Sequence, residues 1–208
     1  MPERHAETSE PDDAEAPTRW TFQLDEVEVR VVDLGPQPLH LPRGALLAVN
    51  GGFFDRRFEP EGYVVSQGRV LSEWDRDLGG GVITGAAGQA RQHDGETFAP
   101  PREPPEWAIQ ARPRLVVGGA LNIRSETGLR AARTALCLKD EGRELTVVVI
   151  PAEEDEGPTL YELGEQLVRE GCEDALNLDG GPSTGFVSPS HRSMPRGPIR
   201  HAVVIRPR

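Results

Sequence analysis

Residues 144–186 read ELTVVVIPAEEDEGPTLYELGEQLVREGCEDALNLDGGPSTGF, and three signals follow one another within them. Leu145 to Ile150 forms a continuous aliphatic and β-branched run, the pattern of a strand covered on both faces, which predicts a central strand. Next, Thr159 and Glu162 have the spacing of a capping box, and Leu160, Leu163, Leu167 and Val168 fall on one helical face. Gly171 stands where that helix should stop, and Pro158 keeps the chain before it extended or turning. Ala175 to Leu178 is then a short strand running into Asp179-Gly180-Gly181. Strand, helix and strand in succession predict a right-handed crossover joining parallel neighbours.

Outward from this unit the signals are short strands: Trp20 to Leu24, Val27 to Val32, Ala45 to Val49, Tyr63 to Val65, Leu115 to Val117, Thr134 to Leu138 and Ala202 to Ile205. Val27, Val29 and Val31 alternate with Glu26, Glu28 and Arg30, so one face of that strand is expected to be wet. Between Gly85 and Glu106 glycines, polar residues and two Pro-Pro doublets leave no periodicity, which predicts a long loop or flap. The sum is an α+β or mixed α/β domain, a strand-rich mixed sheet with few helices and mostly hairpin connections.

A chain of 208 residues suits one domain. Residues 1–17 carry six acids, one arginine and almost no large apolar side chain, so they are expected to form a disordered acidic tail before a single domain over 18–208. The 23 basic and 34 acidic residues give a net charge of -11, which disfavours nucleic acid and anionic membranes as partners. No apolar run approaches the roughly 20 residues of a membrane span, and no leader pattern opens the chain, so the expected location is the cytoplasm. Cys137 and Cys172 make no CxxC pair, and reduced, buried thiols are expected. From His191 onward there are five arginines and no acid, a basic patch that reads either as a solvated edge or as an anion site. The oligomeric state stays open.

Three constellations could carry chemistry. The first is Asn50-Gly51-Gly52-Phe53-Phe54-Asp55 at the end of an apolar strand, where paired glycines let backbone N–H groups approach a ligand. It reads equally as a glycine turn with two core phenylalanines. The second is Asn177 to Phe186. If Leu176 and Leu178 face the core, Asn177 and Asp179 project to the other side, with Gly180, Gly181, Ser183 and Thr184 forming a nest of donors beside a carboxylate. A purely structural turn has the same pattern. The third is Arg133 opening the strand Thr134 to Leu138, a guanidinium able to hold a phosphate or carboxylate, or a surface arginine on an aliphatic stem. The five histidines lack metal-ligand spacing, and neither a GxSxG elbow nor a dinucleotide loop is present.

In this order, Asn50 to Phe54, Arg133-Thr134-Ala135, the capped helix and Asn177-Leu178-Asp179-Gly180-Gly181 with Ser183-Thr184 resemble the phosphodiester glycosidase family. The resemblance spans about residues 45–206 and includes Pro60 to Leu71, the loop Gln110 to Gly119 and the closing strand after Arg200. It implies hydrolysis between a sugar's anomeric carbon and a phosphate esterified to a second group, as in a bacterial envelope or exopolysaccharide precursor. It also implies catalytic roles for Asp179, Arg133, Asn50 and Glu61, and substrate binding by Gly51, Gly52, Gly180, Gly181, Ser183, Thr184 and Gln110. Expulsion of a phosphate monoester needs little acid help, so charge stabilisation by Arg133 and the glycine N–H groups becomes the main task. No cofactor and no fixed metal are expected, and a divalent cation remains open. Three departures stand out: Pro182 where the family often has glycine, arginines in the Gln110-Ala111-Arg112-Pro113-Arg114 loop, and Cys137 at another frequent glycine position. Two other classes compete. One is a metal-dependent phosphoesterase with Asp179 and Asp55 as ligands. The other is a noncatalytic glycan- or phosphate-binding module.

Overall fold

A computed structural model describes residues 18–153 and 156–208; residues 1–17, where the acidic tail is expected, lie outside the described residues. In chain order the strands of the first half are β1 (Thr18–Gln23), β2 (Val27–Asp33), β3 (Leu47–Asn50), β4 (Val64–Ser66), β5 (Arg69–Ser72), β6 (Gly81–Ala86), β7 (Gln89–Asp94) and β8 (Trp107–Ala111). They are followed by β9 (Arg114–Val117), β10 (Ala120–Leu121), β11 (Arg133–Lys139), β12 (Glu144–Ile150), the helix α1 (Leu160–Arg169), β13 (Asp174–Asn177), β14 (Phe186–Val187), β15 (Arg192–Ser193) and β16 (His201–Pro207).

These strands form three sheets, ordered β1-β12-β11-β13-β9-β10, β15-β14-β3-β16-β2 and β5-β4-β8-β6-β7. Every strand pair within them is antiparallel. One core joins all three. Leu136, Val147 and Leu176 from the first sheet meet Val49 and Val203 from the second and Ile83 and Ile109 from the third. Burial of such side chains supplies about 1.5–3 kcal/mol each, which is what lets short strands hold together. In β2 Val27, Val29 and Val31 are buried and Glu28 and Arg30 are partly exposed, as their alternation requires.

α1 covers the outer face of the first sheet. Thr159 Oγ1 accepts from the Glu162 N–H at 3.2 Å, and Glu162 accepts from the Thr159 N–H at 3.0 Å, so the capping box is complete. Leu163 and Leu167 are buried against Leu115, Val148 and Ala175, and Gly171 ends the helix at φ +82°.

Four expectations need correction. The molecule is mostly β, with three antiparallel sheets where a mixed sheet in an α+β or mixed α/β domain is expected; α1 is the one α-helix among the described residues, because no other segment has a 3.6-residue apolar period. β12 and β13 run parallel but are not neighbours. The tight β11–β12 hairpin sets β11 between them, and the α1 crossover passes over it. The loop expected over 85–106 contains β7, whose polar side chains hide a strand paired along its length with β6. Cys137 and Cys172 are not thiols. They form a disulfide with Cα atoms 5.6 Å apart, tying the end of α1 to β11, a pairing that their separation of 35 residues did not advertise.

Candidate active site

β3 delivers Asn50 into the junction of the first two sheets with no exposed surface. Its Nδ2 donates to the Asp179 carbonyl at 2.7 Å, while its Oδ1 accepts from Thr134 Oγ1 at 2.6 Å and from the Gly185 N–H at 3.2 Å. One amide thus joins β3, the first turn of β11 and both ends of the loop after β13. The Asp179 N–H returns a bond to the Gly51 carbonyl at 3.1 Å, so the two glycine loops are laced together. Gln110 does the same for the third sheet. Also fully buried, it donates to the carbonyls of Asp75 (2.6 Å) and Gly79 (3.1 Å) and accepts from the N–H groups of Tyr63 (2.9 Å) and Asp75 (3.2 Å).

Asp179 sits half-buried at the tip of β13. Burial pushes its carboxyl above the usual range, and the nearby Glu61 carboxylate pushes it further; the Ser183 hydroxyl and the Gly180 N–H (2.9 Å) pull the other way. Glu61 reaches this place because its N–H is held by the Phe53 carbonyl at 3.0 Å, at the end of the first glycine loop. Arg133 opens β11 buried, and desolvation lowers its guanidinium's affinity for a proton. Its Nε donates to the Pro158 carbonyl (3.1 Å) and its Nη2 to the Leu129 carbonyl (2.8 Å). Nη1 lies 3.9 Å from the position that a Cβ on Gly180 would take, so the uncommitted corner of the fork faces the Asp179 loop. Arg112 joins from the third loop, its guanidinium 5.7 Å over the Phe53 ring and its carbonyl accepting from Asn177 Nδ2 at 2.8 Å.

The glycine N–H groups do not form an open nest. Gly51 donates to the His201 carbonyl (2.8 Å), Gly52 to His201 Nε2 (3.0 Å), Gly180 to Asp179 Oδ1 (2.9 Å) and Gly181 to the Ala132 carbonyl (2.8 Å). The glycines are there for close packing: a Cβ on Gly51 would stand 2.5 Å from His201 Cδ2, and one on Gly52 3.0 Å from the Gln110 carbonyl. Ser183 and Thr184 are buried in the turn after Gly181. The Ser183 hydroxyl has one proton and lies within reach of two acceptors, the Pro198 carbonyl at 3.2 Å and the Asp179 carboxylate, and Thr184 Oγ1 has no hydrogen-bond partner.

His201 was not legible as a site residue. Burial drives its pKa down to about 4, so the ring is neutral; since Nε2 accepts from Gly52, the proton resides on Nδ1, which has no partner. Thr134 was likewise missed. A single histidine or threonine at the start of an apolar strand carries no spacing signal. Asp55, the other metal-ligand candidate, closes its own turn by accepting from the N–H groups of Arg57 (2.8 Å) and Glu59 (2.9 Å). Among the described residues no group of three or more His, Cys, Asp or Glu side chains is placed to hold a metal ion. The arginines after His191 are mostly paired, Arg196 with Glu153, Arg200 with Asp33 and Arg208 with Glu106. The arrangement as a whole offers two neighbouring carboxylates, Asp179 and Glu61, and one buried guanidinium corner, a set suited to a ligand that carries both an electrophilic carbon and an anion.

Residues 43–206 match the family model described as phosphodiester glycosidase. Among solved structures, the catalytic domain of zebrafish N-acetylglucosamine-1-phosphodiester alpha-N-acetylglucosaminidase, auto-inhibited by its pro-peptide, aligns with a TM-score of 0.70 and 18% identity, over 95% of this chain and 85% of that one. A hypothetical protein from Synechocystis aligns at 0.65 and 17% identity, over 92% and 59% of the two chains. A putative exported protein from Burkholderia pseudomallei aligns at 0.61 and 13%, over 92% and 74%. No curated protein matches.

Proposed function

This chain belongs to the phosphodiester glycosidase family, and from that premise we propose that it hydrolyses glycosyl 1-phosphodiesters between the anomeric carbon and the phosphate oxygen, releasing free sugar and a phosphate monoester. The observation that supports the reading is a half-buried Asp179 carboxyl, raised by burial and by Glu61, on a loop whose Gly180 stands beside the uncommitted Nη1 of Arg133.

In this reading Arg133 Nη1 holds a phosphate oxygen and takes up charge as the carbon–oxygen bond breaks. The leaving monoester has a second pKa of about 6, so it departs without a strong general acid. The oxygen of water adds to the anomeric carbon, and its proton passes to Asp179 or to the departing phosphate. Asp179 stabilises the positive charge that develops on the sugar, with Glu61 as the second carboxylate. Asn50 and Gln110 act by holding the loops, since their amide groups are bonded within the protein. Ser183 and Thr184 line the turn at the sugar or phosphate oxygens, and Thr184 Oγ1 is the hydroxyl with bonding capacity to spare.

The test is hydrolysis of N-acetylglucosamine 1-(methyl phosphate) in heavy-oxygen water. Label in the released sugar supports the proposal, with loss of turnover in Asp179→Ala. Label in the phosphate would place cleavage at phosphorus and overturn it in favour of a phosphoesterase. Tight binding of the compound with no turnover would identify a binding module.

A further inference from the structure

A cleft of about 410 Å³ opens on the far side of the Gly180–Pro182 turn, walled by Arg130, Ala132, Glu153, Gly181, Pro182 and Arg196. That is within the range of small-molecule sites and larger than a lone phosphate needs. Its floor is the seam where the Gly181 N–H meets the Ala132 carbonyl at 2.8 Å. One residue further along each strand of that seam stand Gly180 and Arg133, the pair that frames the proposed phosphate position. A phosphodiester has two arms. With the sugar at Asp179, the cleft is the adjacent space for the other.

Its walls are pre-set. Arg196 Nη1 bonds Glu153 at 2.5 Å and Nη2 bonds the Ala152 carbonyl at 2.7 Å. Arg130 Nη1 bonds the Gly157 carbonyl at 2.9 Å and Nη2 bonds Glu162 at 2.5 Å. The bonds to the Ala152 and Gly157 carbonyls anchor each guanidinium to the backbone whatever holds its other corner, which limits the freedom lost on meeting a ligand. The Pro182 ring packs against Gly197, where a Cβ would come within 2.9 Å of it, and the Pro182 carbonyl accepts from the Gly197 N–H at 2.8 Å. Pro182 is therefore a wall of this cleft as well as a missing donor.

The two carboxylate partners are not equivalent. Glu162 is committed to the capping box through its bond with the Thr159 N–H, whereas the Glu153 side chain is 73% exposed and its hydrogen bonding is to Arg196. Exposed ion pairs of that kind are worth only about 0–1 kcal/mol, so a ligand anion can take the place of Glu153 in the Arg196 fork at little cost. The apolar side chains of the lining are alanines and a proline, with no large aliphatic or aromatic residue among them.

We propose that this cleft binds the second arm of the diester and selects arms that carry a carboxylate or a further phosphate, with Arg196 as the specificity-determining residue and Arg130 beside it. The proposal rests on the reading of the site given above for the order of the two arms.

The experiment compares two N-acetylglucosamine 1-phosphodiesters of matched size, one with a glycerate arm and one with a glycerol arm, and in parallel measures binding of the products 3-phosphoglycerate and glycerol 3-phosphate by calorimetry. The expected result is a preference of roughly tenfold for the carboxylate-bearing member in kcat/KM and in affinity, the size of one charge-assisted hydrogen bond. Arg196→Gln should erase the preference, while Arg192→Gln, the same charge change on exposed β15, should keep it. Equal cleavage of the two diesters, or a preference for glycerol, overturns the cleft assignment and leaves the proposed hydrolysis standing. If neither diester is cleaved yet 3-phosphoglycerate binds in an Arg196-dependent way, the hydrolysis reading fails and the cleft assignment survives. Absence of both cleavage and Arg196-dependent binding overturns both.

Discussion

Replacing Asn50 with alanine tests whether that side chain is a strut or a substrate contact. The substitution removes the donor to the Asp179 carbonyl and the acceptor shared by Thr134 Oγ1 and the Gly185 N–H. All of this lies at a site with no exposed surface, where water cannot replace the lost partner without a cavity. An unsatisfied buried group costs about 1–3 kcal/mol, and none of the three orphans has another hydrogen bond, which gives about 3–9 kcal/mol. A domain of this size has about 5–15 kcal/mol in total, and each kcal/mol moves its melting temperature by about 2–4 °C. Asn50→Ala should therefore melt roughly 10 °C or more below the wild type and lose turnover because Asp179 is no longer placed. Asn50→Asp keeps both acceptor bonds but turns the one donor into a carboxylate facing a carbonyl, so it should be as damaging at pH 7 and milder in acid. Thermal and urea unfolding, with kcat/KM on a methyl diester, decide the matter. Melting of Asn50→Ala within about 2 °C of the wild type, together with a loss of turnover by orders of magnitude, would refute the strut argument and return Asn50 to the substrate.

Other expectations concern charge and covalent linkage. Because burial raises the Asp179 pKa above its unfolded value, the native state holds that proton more tightly, and stability falls as pH rises through the shifted pKa. Asp179→Asn should then raise the melting temperature at pH 7 while abolishing hydrolysis; a lower melting temperature would contradict the assignment. His201 behaves in the opposite sense: its folded pKa of about 4 lies below the ordinary 6.5, so stability is complete above about pH 6.5 and declines toward pH 4 as the unfolded chain takes up the proton. At 1.4 kcal/mol per unit this amounts to about 3 kcal/mol, and urea midpoints in His201→Gln should lose that dependence. The Cys137–Cys172 bridge closes a 35-residue span, for which chain entropy gives about 4 kcal/mol. Replacing both cysteines with alanine should lower the urea midpoint without changing KM, and an intact mass that is unaltered by alkylation of the unreduced, unfolded protein checks the bridge itself.

What could be read from the sequence was whatever repeats locally. The helix over 160–169 announced itself through its cap, its apolar stripe and its glycine, and the short strands through β-branched runs bounded by turns. β7 stayed hidden because Gln89 to Asp94 offers one apolar residue, Ala90, and its strand character comes from β6 alongside it. The order of strands was misjudged for a related reason: nothing local says that the β11–β12 hairpin will sit beneath the crossover. At the site, the strand tips bearing Asp179 and Arg133 were visible as residues, but the destination of each N–H was not. Glycine pairs were expected to point donors at a ligand, yet their N–H groups all bond within the protein, and the one decisive partner, His201, lies at the other end of the chain. Long-range hydrogen bonds leave no period to detect.

That distance has a consequence for synthesis. Gly52 and His201 are 149 residues apart, and β16 is inserted between β3 and β2, not added at an edge. At translation speeds of about 5–20 residues per second, β2 and β3 spend roughly ten to thirty seconds outside the ribosome with the gap between them empty. During that interval each shows an unpaired edge, open to any stray extended segment. Of the strand partnerships in the fold, the one around the first glycine loop is completed last, and its edges stay open longest to misassembly.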